Sequence, residues 1–375
     1  MKTIKVCLRM TTHPMYRDLI NYPPRGVVYE IPKTTSTFKD FSLVRRIKKW
    51  LWIRYTQYTP PSVSIDVGDY DLIYSMGGTM VLNKFPWITD AEHVAAFCNF
   101  HTDKLKSSTY VKSILNLLTS KYCKKIMCWS FAAKKTIEQL FKNEEINKKL
   151  EVVYPTVYPR PFKKSKHDDI RLLFIGRVFF EKGGLQLLKA FEILQKRYDV
   201  ELTIISHVPE EIKNKYKNVN YVSPNLSIDE LTRDYYSKSD ILILPTFIDT
   251  YGGVFLEAMN CGLSVITTKI YAIPEIVEDG ITGFLIKPPI SMFKEDFSLI
   301  YGPKTRAWGK FINLVKNING NFIDEIVEKV SKLIEDDKLR KHMGKLAIAQ
   351  IKKGKFSIKK RNRKLIRIYE ESILC

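Results

Sequence analysis

Short aliphatic and β-branched runs recur along the chain: "IKVCLRM", "YDLIYSMG", "FPWIT", "KKIMCWS", "LEVVYP", "RLLFIGR", "VELTIIS", "VNYVS", "DILILP", "LSVITT" and "GFLI". Between several of them lie segments with helical spacing. In "LQLLKAFEILQKR" the residues Leu185, Leu188, Phe191 and Leu194 fall three apart, and "SIDELTRDYYSKS" reads as a second helix. Strands without polar alternation are buried on both faces, so the pattern calls for parallel sheets covered by helices, an α/β chain. No internal repeat stands out. With 375 residues the chain can build more than one core, and two domains are expected. The joint is placed in "VVYPTVYPRPFKKSKHDD", roughly 152–169, rich first in proline and then in charge.

Charge narrows the partners without naming one. Lys and Arg total 61 against 40 Asp and Glu, a formal net charge of +21 spread over both halves, which suits polyanions, anionic membranes or phosphate-bearing ligands. Cys7, Cys98, Cys123, Cys128, Cys261 and Cys375 form no CxxC pair, so structural zinc and a disulfide framework are not expected, and a reducing cytoplasm is. The N-terminal apolar run is too short for a secretion signal, and no stretch of about 18 apolar residues is present. Membrane contact is therefore expected to be peripheral.

Two segments carry chemistry. In "RLLFIGRVFFEKGGLQLL" a strand is read as ending at Ile175, with Gly176, Arg177, Lys182, Gly183 and Gly184 in the loop before a helix. A helix start with free N–H groups, glycines that admit a ligand to the backbone and two cations suits a diphosphate. The plain alternative is a glycine-rich turn with solvated cations. Walker and GxGxxG spacings are both absent. In "FIDTYGGVFLEAMNCG" a helix starting near Gly252 would put residues 253 and 257 one turn apart on one face. The N–H groups at 253 and 254 would then suit an anion, and Glu257 a pair of hydroxyls such as a ribose diol. Asp249 in the preceding loop could take hydroxyls of a second sugar. Acids near a helix start are also favoured by its dipole alone.

Taken together, "FIGRVFFEKGG", "DELTRDYYSKSDILILPTFIDTYGGVFLEAMNCGLSVITT" and "IPEIVEDGITGFLI" resemble, in order and spacing, the C-terminal domain of retaining glycosyltransferases of family 4. That resemblance is strong from about 170 to 290 and weaker elsewhere. It implies the GT-B fold, two doubly wound Rossmann-like domains facing across a cleft, here 1–160 with a terminal helix about 356–375 returning to it, and 161–355. It implies that Arg177 and Lys182 bind the donor diphosphate, that Glu257 is the second acid of an E-x7-E motif and holds the ribose, and that Asp249, where Glu is usual, contacts the donor sugar. Gly252, Gly253 and Val254 would offer backbone N–H groups. The nucleotide sugar would be a substrate and no cofactor would be needed. Positive charge developing on the sugar and negative charge on the leaving diphosphate would be met by Arg177, Lys182 and those N–H groups, with Asp249 and His93 as further catalytic candidates. No metal is then required, and the sequence shows no D-x-D pair in a plausible loop.

The N-terminal half resembles the family's acceptor domain loosely. "NYPPRGVVYEIP" stands where the family often has a glycine-rich loop, with Arg25 and a single Gly26. "KFPWITDAEHVAAFCNFH" resembles the strand and loop that meet the sugar, with Asp90, Glu92 and His93 as candidates and His101 behind them; a core or cap histidine is the competing reading. Ser130 in "CWSFAAKK" is either a further family feature or a helix N-cap. Residues 38–58 place apolar and basic residues on different helical sides, fitting an anionic membrane surface near a lipid-linked or surface glycan acceptor, or a helix packed on the first domain. "FSIKKRNRKLIRIYEESI" reads as a terminal helix whose basic face is solvated. Two rival classes are a degenerate nucleotide-sugar-binding subunit and a basic nucleic-acid binder, the latter without any RRM, KH or zinc signature. Nucleic acid is not the expected partner.

Overall fold

The structure, a computed structural model, describes residues 3–9, 13–32, 59–165, 167–302 and 307–374. The segment 38–58 lies outside the described residues. The chain divides into two compact units. Unit 1 comprises Met1–Tyr154, Gly302–Thr305 and Arg361–Cys375, and unit 2 comprises Pro155–Tyr301 and Arg306–Lys360.

Every apolar run quoted above contains a strand, and all the paired strands are parallel. Unit 1 holds β1 (Ile4–Arg9), β2 (Val27–Glu30), a small ribbon of β3 (Ser62–Val63) and β5 (Met80–Val81), β4 (Leu72–Ser75), β6 (Trp87–Ala91), β7 (Cys123–Cys128) and β8 (Leu150–Val152). Its main sheet runs β2-β1-β4-β6-β7-β8. Strand β2 was hidden inside "NYPPRGVVYEIP", because Pro23 and Pro24 read as loop; they precede the strand, and β2 lies at the sheet edge, where prolines are tolerated. Residues of β4 and β6 are buried throughout.

Unit 2 holds β9 (Ile170–Val178), β10 (Val200–His207), β11 (Asn220–Val222), β12 (Ile241–Leu244), β13 (Ser264–Thr268) and β14 (Gly283–Ile286), in the order β11-β10-β9-β12-β13-β14. This is the doubly wound dinucleotide-fold order, and its direction reverses between β9 and β12. Strand β9 continues to Val178, so Gly176 and Arg177 lie in the strand and not in the loop. Helix Asn321–Glu335 packs on helix Gly184–Leu194, and helix Asp337–Lys352 packs on helix Gly253–Asn260 and on β13. The proline-rich segment after Tyr154 packs within unit 2, where Arg160 pairs with Asp229 at 3.3 Å and Ser165 N–H reaches Ser237 O at 3.0 Å.

"SIDELTRDYYSKS" is not one α-helix. Ser227 and Glu230 form a reciprocal capping box, Leu231–Tyr235 form a π turn and Tyr236–Lys238 a 3-10 turn. The wider turn carries Tyr236 into the core, where it is fully buried. Such π segments interrupt helices mostly near functional sites.

Five described cysteines are buried free thiols. Burial pushes Cys7 up to about 11 and Cys123 up to about 12, so they stay protonated near neutrality. Among the described residues no helix is long and apolar enough to cross a membrane.

Helix Ile358–Leu374 corrects one reading of its basic face. Arg361 is buried and donates to Asp18 O at 3.1 Å and Tyr22 O at 2.6 Å, Tyr369 and Tyr29 share a hydroxyl contact of 2.8 Å, Arg367 pairs with Glu151, and Glu371 pairs with Lys125 at 3.1 Å. Part of the basic face is therefore engaged with unit 1, while Lys359, Lys360 and Arg363 are exposed. Arg361→Ala should destabilise the chain by about 2–3 kcal/mol, because two carbonyls lose a charged donor inside the fold. Urea denaturation measures this; an unchanged midpoint would show that the guanidinium holds nothing in place.

Candidate active site

The reversal between β9 and β12 sets their carboxyl ends side by side, the place where open α/β sheets bind ligands. Gly183 has φ +79°, and a Cβ there would stand 2.1 Å from Pro245 O. The turn after β9 and the exit of β12 thus meet backbone to backbone, which only glycine permits. A Cβ on Gly176 would come 2.9 Å from Lys182 Cγ, so the lysine stem lies across the end of β9. Its Nζ donates to Ile248 O at 2.9 Å and to Asp249 Oδ2 at 2.7 Å. Both partners are largely buried, their side chains 18% and 10% exposed.

The loop carrying Asp249 is braced on several sides. Phe247 N–H donates to Glu181 O at 2.9 Å, Thr246 Oγ1 donates to Ile248 O at 2.6 Å, and Tyr251 OH donates to Pro155 O at 2.8 Å. Tyr251 N–H donates to Asp249 Oδ1 at 3.3 Å. Gly252, at φ +80°, then starts helix Gly253–Asn260 without a side-chain cap; a Cβ there would stand 2.4 Å from the Phe255 ring. Gly253 and Val254 occupy the first turn, where N–H groups point outward along the axis. Glu257 sits one turn further on, half-buried, and its Oε2 accepts from Tyr236 OH at 3.0 Å. Lys182, Asp249, Gly252, Gly253, Val254 and Glu257 are thereby gathered around one sheet edge, with Arg177 exposed at the end of β9. Cations and N–H groups suit phosphates, and carboxylates suit hydroxyls.

A family model described as glycosyl transferases group 1 matches residues 169–297. Over those residues the chain is similar to the glycosyl transferases group 1. The capsular polysaccharide biosynthesis glycosyltransferase CapM of Staphylococcus aureus is 27% identical over 263 residues, covering 68% of this chain and 57% of CapM. A D-inositol 3-phosphate glycosyltransferase of Paenarthrobacter aurescens is 27% identical over 139 residues, covering 34% of each chain. The chain thus spans about half of CapM and a third of the second relative. Among solved structures, Anabaena Alr3699/HepE in complex with UDP and glucose gives a TM-score of 0.61 at 14% identity, covering 98% of this chain and 99% of that one. Such a likeness establishes the fold, and the two parallel-sheet units are those of the GT-B class.

Outside the group 1 segment, unit 1 places its candidates unevenly. Arg25 and Gly26 precede β2, and Ile4 N–H, at the start of the parallel neighbour β1, donates to Gly26 O at 2.8 Å. They therefore sit at the amino edge of the sheet, the wrong end for a ligand site. Asp69 and Asp71, a D-x-D pair, lie at the same edge and engage the Nζ and N–H of Lys5. Asp90 ends up in the core as an anchor, accepting from Tyr74 OH at 2.6 Å, Tyr16 OH at 2.7 Å and Gly77 N–H at 2.7 Å. His93 is 2% exposed and its Nδ1 accepts from Ala95 N–H at 2.9 Å, a cap on the following 3-10 turn. Ser130 caps helix Phe131–Phe141 by accepting from Ala133 N–H at 3.0 Å. Glu92 is half-buried beside His93, and His101 is exposed.

Sequence reading passed over Tyr236, Tyr16, Tyr74 and the pair Gly77–Gly78, both of which have positive φ. The last had a visible signal: "MGGT" directly follows the run "DLIYS", a glycine pair at a strand's carboxyl end. Among the described residues no group of three or more His, Cys, Asp or Glu is placed to hold a metal ion.

Asp90 also sets a pH dependence. Burial raises its pKa, against the lowering effect of donors from Tyr74, Gly77, Tyr16 and Trp129. The folded state therefore holds the proton more tightly than the unfolded chain. Stability contributed by this group should be full below the ordinary carboxyl pKa and fall as pH rises from there through the raised folded value. Denaturation free energies from about pH 3.5 to 7 should lose that downward component in Asp90→Asn; equal slopes in both proteins would refute it.

Proposed function

We propose that the chain is a retaining, metal-independent glycosyltransferase that moves a sugar from a nucleoside-diphosphate sugar to a lipid-linked or surface glycan. One observation carries the reading: the Lys182–Asp249 pair, the uncapped helix start at Gly253 and Glu257 surround a single switch-point edge in a group 1 segment. The UDP and glucose bound by HepE and the capsular polysaccharide biosynthesis in which CapM acts support the donor and acceptor classes.

Each group has a task in this mechanism. Arg177, Lys182 and the N–H groups of Gly253 and Val254 stabilise the diphosphate as it leaves with added negative charge, which lowers the barrier because that charge grows in the transition state. Glu257, held by Tyr236, accepts hydrogen bonds from the ribose diol. When the diphosphate engages Lys182, Asp249 is released to accept from hydroxyls of the donor sugar. Attack occurs on the face the leaving group departs from, and the phosphate oxygen takes the acceptor proton. Cations and backbone dipoles supply the charge stabilisation that a metal ion would otherwise bring. The enzyme acts in the cytoplasm, and the composition of segment 38–58 supports contact with an anionic membrane surface.

A thermal-shift panel of UDP, GDP, ADP and their sugar conjugates tests the donor site, since a ligand bound to the native state alone raises the melting temperature. Glu257→Ala should weaken nucleoside diphosphate binding by roughly tenfold, about 1.4 kcal/mol, and unchanged affinity would remove the ribose role. Asp249→Asn should lower transfer far more than nucleoside diphosphate affinity; the reverse pattern would contradict its place at the sugar. Transfer should persist in EDTA with the anomeric configuration retained by NMR, and loss in EDTA would overturn metal independence.

A further inference from the structure

Unit 1 has a switch point of its own. Strand β1 lies between β2 and β4, so the connections leave it in opposite directions and its carboxyl end opens beside that of β4. Arg9 is the last residue of β1, opposite Ser75, the last of β4. Its Nη1 donates to Thr79 Oγ1 at 2.8 Å, at the end of the loop carrying Gly77 and Gly78.

The guanidinium is half-buried, and among the described residues its hydrogen-bonding partner is that one neutral hydroxyl. Burial lowers its pKa, and the opposing influence comes from Tyr16, not from a carboxylate. Asp90, the buried acid of this neighbourhood, is committed to Tyr16, Tyr74 and Gly77, and Glu92 also acts on Tyr16. A desolvated cation with one neutral partner is costly to hold, and an oxyanion that engages the planar fork through two parallel hydrogen bonds recovers that cost. The same carboxyl edge carries exposed ring surface. Exposed His13 packs edge-on at 5.2 Å against the buried Trp129, and Phe131, which follows β7, is 62% exposed. Rings beside a convergent charge are the usual make-up of a small-molecule subsite.

We propose that Arg9 binds an oxyanion, a phosphate or a carboxylate, carried by the sugar acceptor of unit 1. The word acceptor rests on the glycosyltransferase reading; the anion site itself rests on Arg9 and Thr79. Such an acceptor is a sugar phosphate, as at the head of a lipid carrier, or a uronic acid.

Calorimetric titration of glucose 1-phosphate, glucuronate and methyl glucoside separates these cases, with UDP as the donor-side control. Wild-type protein should bind at least one of the two anionic sugars tenfold or more tightly than methyl glucoside. Preference for glucose 1-phosphate alone identifies a phosphate site, and preference for glucuronate identifies a carboxylate site. Arg9→Gln should abolish the preference, while Arg177→Ala/Lys182→Ala should keep it and lose UDP. If Arg9→Gln melts early, Arg9→Lys serves instead, retaining the charge but losing the fork, with an expected several-fold loss. Preference that survives Arg9→Gln, or its absence in the wild type, overturns the assignment. Failure of UDP to bind wild type, with the Arg9-dependent preference intact, overturns the donor reading alone.

Discussion

The approach of Gly183 to Pro245, close enough that any side chain at 183 would strike a carbonyl oxygen, is the constraint on which unit 2 depends. It joins the turn after β9 to the exit of β12 with no side chains between them. From that contact follow the placement of Lys182 over Gly176, its reach to Asp249, and the entry angle of the helix that begins at Gly253. Replacing the contact by packed side chains would move the two strand exits apart by ångströms and separate a lysine from an aspartate more than sixty residues away in sequence.

Periodicity made most of the fold legible. Runs such as "DILILP" and "LSVITT" are buried on both faces in parallel strands, and continuous hydrophobicity has few other uses in a chain with this many intervening helices. The clustering of Asp249, Gly252, Gly253 and Glu257 was legible for a different reason: it depends on local spacing, an acid one turn beyond a glycine-started helix, and local spacing survives in a linear string. Strand β2 was obscured because its prolines stand outside the ladder and half its residues face water.

Other residues were harder to read from the sequence. Asp90 looks like a candidate ligand in "WITDAEH", yet two tyrosines, one 74 positions away, convert it into an anchor. His93 turned out to cap a 3-10 turn, a role that spacing alone cannot separate from ligand binding. Tyr236 escaped notice because the π turn before it shifts its register, and a helical wheel would have turned it elsewhere. For Asp90 the deciding fact is a pair of partners from other elements, and for Tyr236 it is a change of helical pitch.

The ion pair between Lys182 and Asp249 has one more consequence. Each group is the other's counter-ion at 2.7 Å, so the pair presents little uncompensated charge. A bare phosphate that drew Lys182 away would strand a mostly buried carboxylate, and a neutral sugar that engaged Asp249 would strand the ammonium. A molecule bearing a diphosphate and sugar hydroxyls together satisfies both at once. On the reading proposed above, the pair therefore favours a ligand that carries a diphosphate and a sugar together over a small anion such as phosphate.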